Sequence, residues 1–359
     1  MDGLPLDLLR PIVEHLKDDI RSLLAISLAS PTLREEGQRI LFRTVALYGL
    51  NNHIKFFTAV TSSGKLAPLV EEYEQLGLVD AEFQQEPLWG LTCRGLQAMV
   101  NLKILLFHAF HGLPSTQILH GCTFQLEVFG WASRDAELLV EFLLTQPHLH
   151  TLMVDWKVLE LNTSSICPGL QALHGNRNTI TAFLPGRHIT SLKWSPDEKE
   201  SLLNRPIDHL PQECGHIRFF SFGGLWGRPR FDLVMLHFRA LEVLRLIGLY
   251  SHEVCLKKLS LQLCFSLTVP CSQDLQSLSE IPRLRIFILS KSPRSVQNWR
   301  GPVSLKSRID FFPQLFATCN ALQRIDINTH ARMYQRWFRD AHPRRYIYIS
   351  EVYVLSDVL

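Results

Sequence analysis

Apolar residues recur along this chain with two different periods, one confined to roughly the first 45 residues and the other running from about residue 100 to the end. In "LPLDLLRPIVEHL", residues 4 to 16, the apolar positions are Leu4, Leu8, Leu9, Ile12, Val13 and Leu16. Their offsets of 4, 5, 8, 9 and 12 trace one face of a helix. Such a face has to be buried, either against the chain's own core or against another protein. Pro11 falls inside the stretch, and its missing backbone donor predicts a kink or a late helix start. Asp18 and Asp19 can cap a second helix, "IRSLLAISLA", with Ile20, Leu23, Leu24 and Leu28 on one face. Ser30 can cap a third, with Pro31 in the first turn that tolerates proline and Leu33, Gly37, Ile40 and Leu41 sharing a face. "RTVAL" follows as a strand.

From residue 100 the spacing changes to Lxx[LFI]x[hydrophobic]. It is written "LKILLF" at 102, "LEVFGW" at 126, "LHTLMV" at 149, "LQALHG" at 170, "ITSLKW" at 189, "IRFFSF" at 217, "LEVLRL" at 241, "LRIFIL" at 284 and "LQRIDI" at 322. The starts are 24, 23, 21, 19, 28 and 24 residues apart, then 43 and 38. The shorter gaps are leucine-rich-repeat periods, and the longer ones leave room for loops or for an extra strand at "LKKLSL", residue 256. "DAELLVEFLLTQP" between two strands has helical spacing at Leu138, Leu139, Phe142 and Leu143, and "RRYIYISEVYVL" reads as a closing strand. One repeat cannot bury its own apolar face, so the units must stack into a continuous core. The asparagine that usually follows LxxLxL is missing from nearly every repeat, so the turns need other hydrogen-bond partners.

Composition adds little that this pattern does not require. With 46% hydrophobic and 20% charged residues among 359, the chain is an ordinary globular sequence, with no run near the ~18 apolar residues of a membrane span. Asp2 and Asp7 stand where a signal peptide carries positive charge, so an intracellular protein, cytoplasmic or nuclear, is expected. A net charge of +3 gives no field that favours nucleic acid. The eight cysteines form no CxxC pair and read as small core residues. His108, His111, His120 and Cys122 are the densest possible ligand group, but their spacing fits no common metal module, and no cofactor is expected.

Enzyme motifs are missing. "AVTSSGKL" contains Gly64-Lys65, but a phosphate loop needs glycine where Ala59 stands and Ser or Thr where Leu66 stands, so the stretch reads as a loop. No GxSxG, HExxH or GxGxxG occurs. "FGGLWGRPRFD" at 222 follows a repeat strand and reads as a turn. In "ARMYQRWFRDAHPRRY", residues 331 to 346, Tyr334, Trp337, Phe338 and Ala341 fall on one helical face and Arg332, Arg336 and Arg339 on another, the pattern of a surface helix rather than of a nucleic-acid site.

The N-terminal residues Leu4-Pro5, Leu8-Leu9, Ile12, Leu16, Leu24, Ser27 and Leu28 carry a resemblance. This stretch is similar to an F-box, the helical module that docks substrate receptors onto the Skp adaptor of cullin-based ubiquitin ligases. Its third helix reads "LREEGQRILF" where many F-boxes have a tryptophan. Followed by degenerate leucine-rich repeats, it resembles the F-box receptor families of fungi. The resemblance implies an α/β chain with an F-box at 1–47 and, over 48–359, a repeat solenoid with a curved parallel sheet, outer helices or loops and a C-terminal closing strand. It implies a non-catalytic substrate receptor whose adaptor contacts are Leu4, Pro5, Leu8, Leu9, Ile12, Leu16, Leu24 and Leu28, with an unidentified protein as substrate. A repeat scaffold without a ubiquitin role is the alternative.

In LxxLxL the third and fifth positions point away from the core. Ile104, Leu106, Val128, Gly130, Thr151 and Met153 make the early part of that concave face apolar. Lys193, Phe219, Ser221, Arg245, Arg324 and Asp326 make the later part more polar. A substrate segment is expected to be anchored near Ile104, Val128 and Met153, to pass Lys193 and Phe219, and to be read by Arg245 and Arg324. Loops over the strip, or a one-residue shift in register, would remove this surface.

Overall fold

A computed structural model describes residues 5–79, 86–110, 116–131, 136–156, 163, 165–196, 211–223, 237–247, 278–290, 311–330, 333–339 and 347–350. They form an α/β architecture in which mostly parallel strands alternate with helices. None of their helices is long and apolar enough to cross a membrane. The chain divides into two compact units, residues 1–158 with 165–169 and residues 159–164 with 170–359.

The first unit opens with α1 (Leu6–Glu14), α2 (Ile20–Ala29) and α3 (Pro31–Arg43). Asp19 caps α2, accepting from the Ser22 amide at 3.2 Å, and Ser30 caps α3, accepting from the Leu33 amide at 3.2 Å. α1 begins before Pro11 and continues past it, so the late start expected from that proline is not taken. β1 (Thr44–Tyr48), β2 (Glu72–Val79), β3 (Ile104–Phe110), β4 (Val128–Trp131) and β5 (Thr151–Val154) then pair in parallel in chain order. Between them run α4 (Leu50–Ser62), α5 (Glu86–Ala98) and α6 (Ala136–Leu144). Ala59 to Ser62, read above as loop, form the last turn of α4, because Val60 is buried and holds the chain in helix.

In the second unit β6 (Ala172–Gly175), β7 (Ser191–Trp194), β8 (Phe219–Phe222), β9 (Val243–Ile247), β10 (Ile286–Ser290) and β11 (Arg324–His330) are parallel. β12 (Met333–Phe338) and β13 (Ile347–Ser350) complete the sheet antiparallel. Helices α7 (Arg177–Phe183), α8 (Pro211–Cys214) and α9 (Phe311–Thr318) lie between strands in the chain. β12 overturns the helix expected at 331 to 346. Tyr334 and Arg336 are buried on one side of this strand and Gln335 and Trp337 on the other, so no polar face remains. Arg332 and Ala341 of that expectation lie outside the described residues, as do "LKKLSL" and all of "FGGLWGRPRFD" beyond Gly223.

All nine repeat motifs become strands that start two residues after the motif does, and every first, fourth and sixth motif position is buried. The core of each unit is therefore a stack of identical registers, with Leu105, Phe129 and Leu152 adjacent in one and Leu192, Phe220 and Leu244 in the other. The turns are satisfied by backbone. The second and third residues of a repeat both donate to the carbonyl of the second residue of the preceding one. Glu127 and Val128 thus bond Lys103 O, and Arg285 and Ile286 bond Glu242 O. Buried Gln146 adds a side-chain clamp, accepting from the Leu126 amide at 2.7 Å and donating to Phe124 O at 3.3 Å. Beyond the strands, where the asparagines would stand, backbone bonds again appear: the Ser195 amide donates to Gly175 O at 2.8 Å and the Gly223 amide to Trp194 O at 3.0 Å.

Candidate functional site

The N-terminal helices divide their apolar residues between two destinations. Val13, Leu23 and Ile40 form a small core on which Leu16, Ile26, Leu33 and Leu41 pack. Gly37 lets α2 and α3 approach closely, since a Cβ there would collide with the Ser27 hydroxyl. Leu8 and Ile12 on α1 and Ile20, Leu24 and Leu28 on α2 instead point to solvent, between 52% and 81% exposed. Of the expected adaptor contacts, Leu8, Ile12, Leu24 and Leu28 are thus open, Pro5 is exposed, Leu9 and Leu16 are half-buried, and Leu4 lies outside the described residues. Ile20 joins the exposed set through the four-residue spacing it shares with Leu24 and Leu28.

Charge fixes the helices that carry these residues. Buried Glu36 accepts from Arg10 at 3.0 Å and from Arg39 at 2.9 Å, Arg39 reaches Glu14 at 3.0 Å, and Arg43 pairs with Glu14 at 3.3 Å and Glu71 at 3.6 Å. Burial works against the Glu36 carboxylate, but the bonds and charges of Arg39 and Arg10 outweigh it and hold its pKa below the usual value. α1 is thereby tied to α3 through side chains that leave Leu8 and Ile12 free. Such a network is not visible in a hydrophobic pattern, because its members are scattered surface-type residues.

On the outward face of the sheet, Ile104, Val128, Thr151 and Met153 occupy matched register positions and are half-buried. Leu106 leans over Gly130, where a Cβ would meet Leu106 Cδ2 at 2.7 Å. Lys193 and Phe219 in the second unit are also half-buried. In the later strands this face is closed by internal partners. Val243, Ile288 and Tyr334 form a buried cluster with Phe219 and Ile286 packed against it. Arg245 donates to Ser290 Oγ at 2.9 Å and to Tyr334 Oη at 3.1 Å. Asp326 is fully buried, takes a two-pronged bond from Arg336 at 2.8 and 3.2 Å, and has Arg324 at 3.1 Å. The two arginines expected to read a substrate are therefore engaged within the fold.

Among the described residues no group of three or more His, Cys, Asp or Glu is placed to hold a metal. His111 of the candidate ligand group lies outside them. Cys122 is partly buried, and burial, reinforced by neighbouring Cys93, pushes its thiol pKa up to about 12. It is a packing residue rather than a reactive one. No protein-family model matches the chain, and no curated protein matches it.

Proposed function

We propose that this protein is a non-catalytic substrate receptor of a cullin-based ubiquitin ligase, in which the three N-terminal helices dock a Skp-type adaptor and the repeats hold a protein substrate. The carrying observation is the pair of exposed aliphatic stripes, Leu8 with Ile12 and Ile20 with Leu24 and Leu28, on helices already fixed by their own core. Burying one such side chain is worth about 1.5 to 3 kcal/mol, and a preformed surface does not spend that gain on ordering itself. The half-buried strip at Ile104, Val128 and Met153 supports a substrate contact in the first unit. It would serve a repeat scaffold without a ubiquitin role equally well, and the adaptor separates the two readings.

The test is co-purification of the full chain with a Skp-type adaptor. Wild type should bind it, and Leu8→Asp with Leu24→Asp should abolish binding while the thermal unfolding of the chain stays unchanged. A wild-type chain that does not bind the adaptor, or a double variant that binds as well as wild type, overturns the receptor reading in favour of the scaffold.

A further inference from the structure

The backbone ladder at the strand starts gathers side chains that the sequence scatters. Arg218, Glu242, Arg285 and Gln323 are the second residues of four successive repeats, 24, 43 and 38 positions apart. Parallel pairing of β8 to β11 brings them to one sheet edge, with neighbouring strands about 4.8 Å apart. Arg218 bonds Glu242 at 2.8 Å, Arg285 stands 3.9 Å from the other Glu242 oxygen, and Arg285 donates to Gln323 Oε1 at 3.3 Å. Together with Arg283 and Arg339 these residues line an open cleft of about 670 Å³.

Among the described residues, four guanidinium groups thus share one cleft with a single carboxylate, a formal excess of three positive charges. Arg339 is held from behind, donating to Leu322 O at 2.8 Å and Phe316 O at 2.7 Å, so little conformational freedom is left for it to lose on binding. Arg283 is exposed and pairs with no described residue. Clustered like charges are stabilised by an anion, and the planar guanidinium fork suits carboxylate and phosphoryl oxygens. None of the described lining residues is aromatic, so the stacking platform of a single-stranded nucleic-acid site is missing.

We propose that this cleft docks an acidic segment of a partner protein, one that presents at least two negative charges as paired carboxylates or a phosphorylated side chain. The assignment stands apart from the ubiquitin reading, because it needs neither the N-terminal helices nor an adaptor. It is also distinct from the outward sheet face, since its residues sit at the edge where the strands begin.

The experiment is fluorescence anisotropy on the purified full chain with three labelled ten-residue peptides: one rich in glutamate, one carrying phosphoserine, and one with glutamine at every acidic position. The two anionic peptides should bind, more weakly as sodium chloride is raised, and the glutamine peptide should not. Their order of affinity tells which source of charge the cleft prefers. Arg283→Glu with Arg285→Glu should weaken binding by about tenfold or more, the scale of losing charge-assisted hydrogen bonds. If that protein fails to fold, Arg283→Glu alone removes an exposed charge that pairs with no described residue and should still weaken binding. Anionic peptides that bind no better than the glutamine peptide, or Arg283→Glu protein that binds them like wild type, overturn the proposal. A labelled single-stranded oligonucleotide that binds more tightly than both peptides and is lost in Arg283→Glu also overturns it.

Discussion

The leucines of the repeats and the leucines of the first two helices are equally apolar, yet they meet opposite fates. Leu105, Leu126, Leu152, Leu192 and Leu244 have no accessible surface, whereas Leu8, Leu24 and Leu28 keep at least half of theirs. The difference lies in what each element has beside it. A repeat strand finds the next strand in register, so each buried position is covered from both sides by the same position of its neighbours. α1 and α2 pack on α3 in one small cluster, and among their described residues only Val13 on α1 and Leu23 and Ser27 on α2 are buried. What remains uncovered is the exposed aliphatic surface on which the proposed adaptor contact rests.

The largest expected break in this comparison is in the repeats. Leu126→Asp would place a carboxylate with no partner between Leu102 and Leu149, where all three side chains are sealed from solvent. Either the charge or its neutral acid form is poorly solvated there, and the loss should be at least about 4 kcal/mol. Urea unfolding followed by far-ultraviolet circular dichroism should show a collapsed midpoint or no folded baseline. A midpoint like that of wild type would mean that the strand stack is not the core.

A second expectation concerns a repeat whose inward positions are partly polar. β2 presents Tyr73 and Gln75 inward, and buried His53 on α4 bonds Gln75 Oε1 through Nδ1 at 2.9 Å and Thr92 Oγ1 through Nε2 at 2.8 Å. Burial pulls the His53 pKa down from 6.5 to about 4 although the Gln75 bond pushes the other way, so the ring is neutral in the fold. The unfolded chain takes up this proton near pH 6.5 and the folded chain only near 4. The contribution is therefore intact above pH 6.5 and is lost as the pH falls to about 4, in all roughly 3 kcal/mol. Urea midpoints between pH 7.5 and 5 should fall accordingly, and His53→Gln should flatten that dependence. An equal slope in the variant would assign the effect to other groups.

The same network explains what the sequence did not reveal. Nine repeats are legible because their inward residues are leucines and other apolar side chains at one spacing. The strand at β2 writes that spacing as Val70, Tyr73 and Gln75, which carries no leucine, although Tyr73 and Gln75 pair with the inward Leu105 and Phe107 of β3 before the register shifts beyond Gln75. β12 misleads for a different reason. Covered on both faces, it has no alternation of apolar and polar residues to mark it as a strand, and Tyr334, Trp337 and Phe338 happen to suit a helical period. At the N-terminus the pattern identifies which residues are apolar and the caps that frame them, Asp18 or Asp19 and Ser30, of which the structure takes Asp19 and Ser30. It does not separate Val13, which turns inward, from Ile12, which does not. That depends on where α3 lies and on the Glu36 ion pairs, and both are properties of the folded unit. The four-arginine cleft is equally invisible, since residues 218, 283, 285 and 339 come together only through strand pairing.

The smallest expected effect is on α2 itself. Glutamine has nearly the helix propensity of leucine, so Leu24→Gln with Leu28→Gln changes the exposed surface and little else. If these side chains were core, the pair would cost several kcal/mol, as truncations at buried leucines do. Leu28 is 81% exposed and Leu24 52%, so the double variant should unfold within about 0.5 kcal/mol of wild type. Fluorescence of a hydrophobic dye added to the folded chain should fall, because two of the three large exposed aliphatic side chains on α2 are gone. Loss of stability on the scale of the Leu126 substitution would place α2 inside the core and erase the distinction between the two sets of leucines. An unchanged melt with a weaker dye signal would keep the α2 leucines on the surface, which is the premise on which the proposed adaptor docking rests.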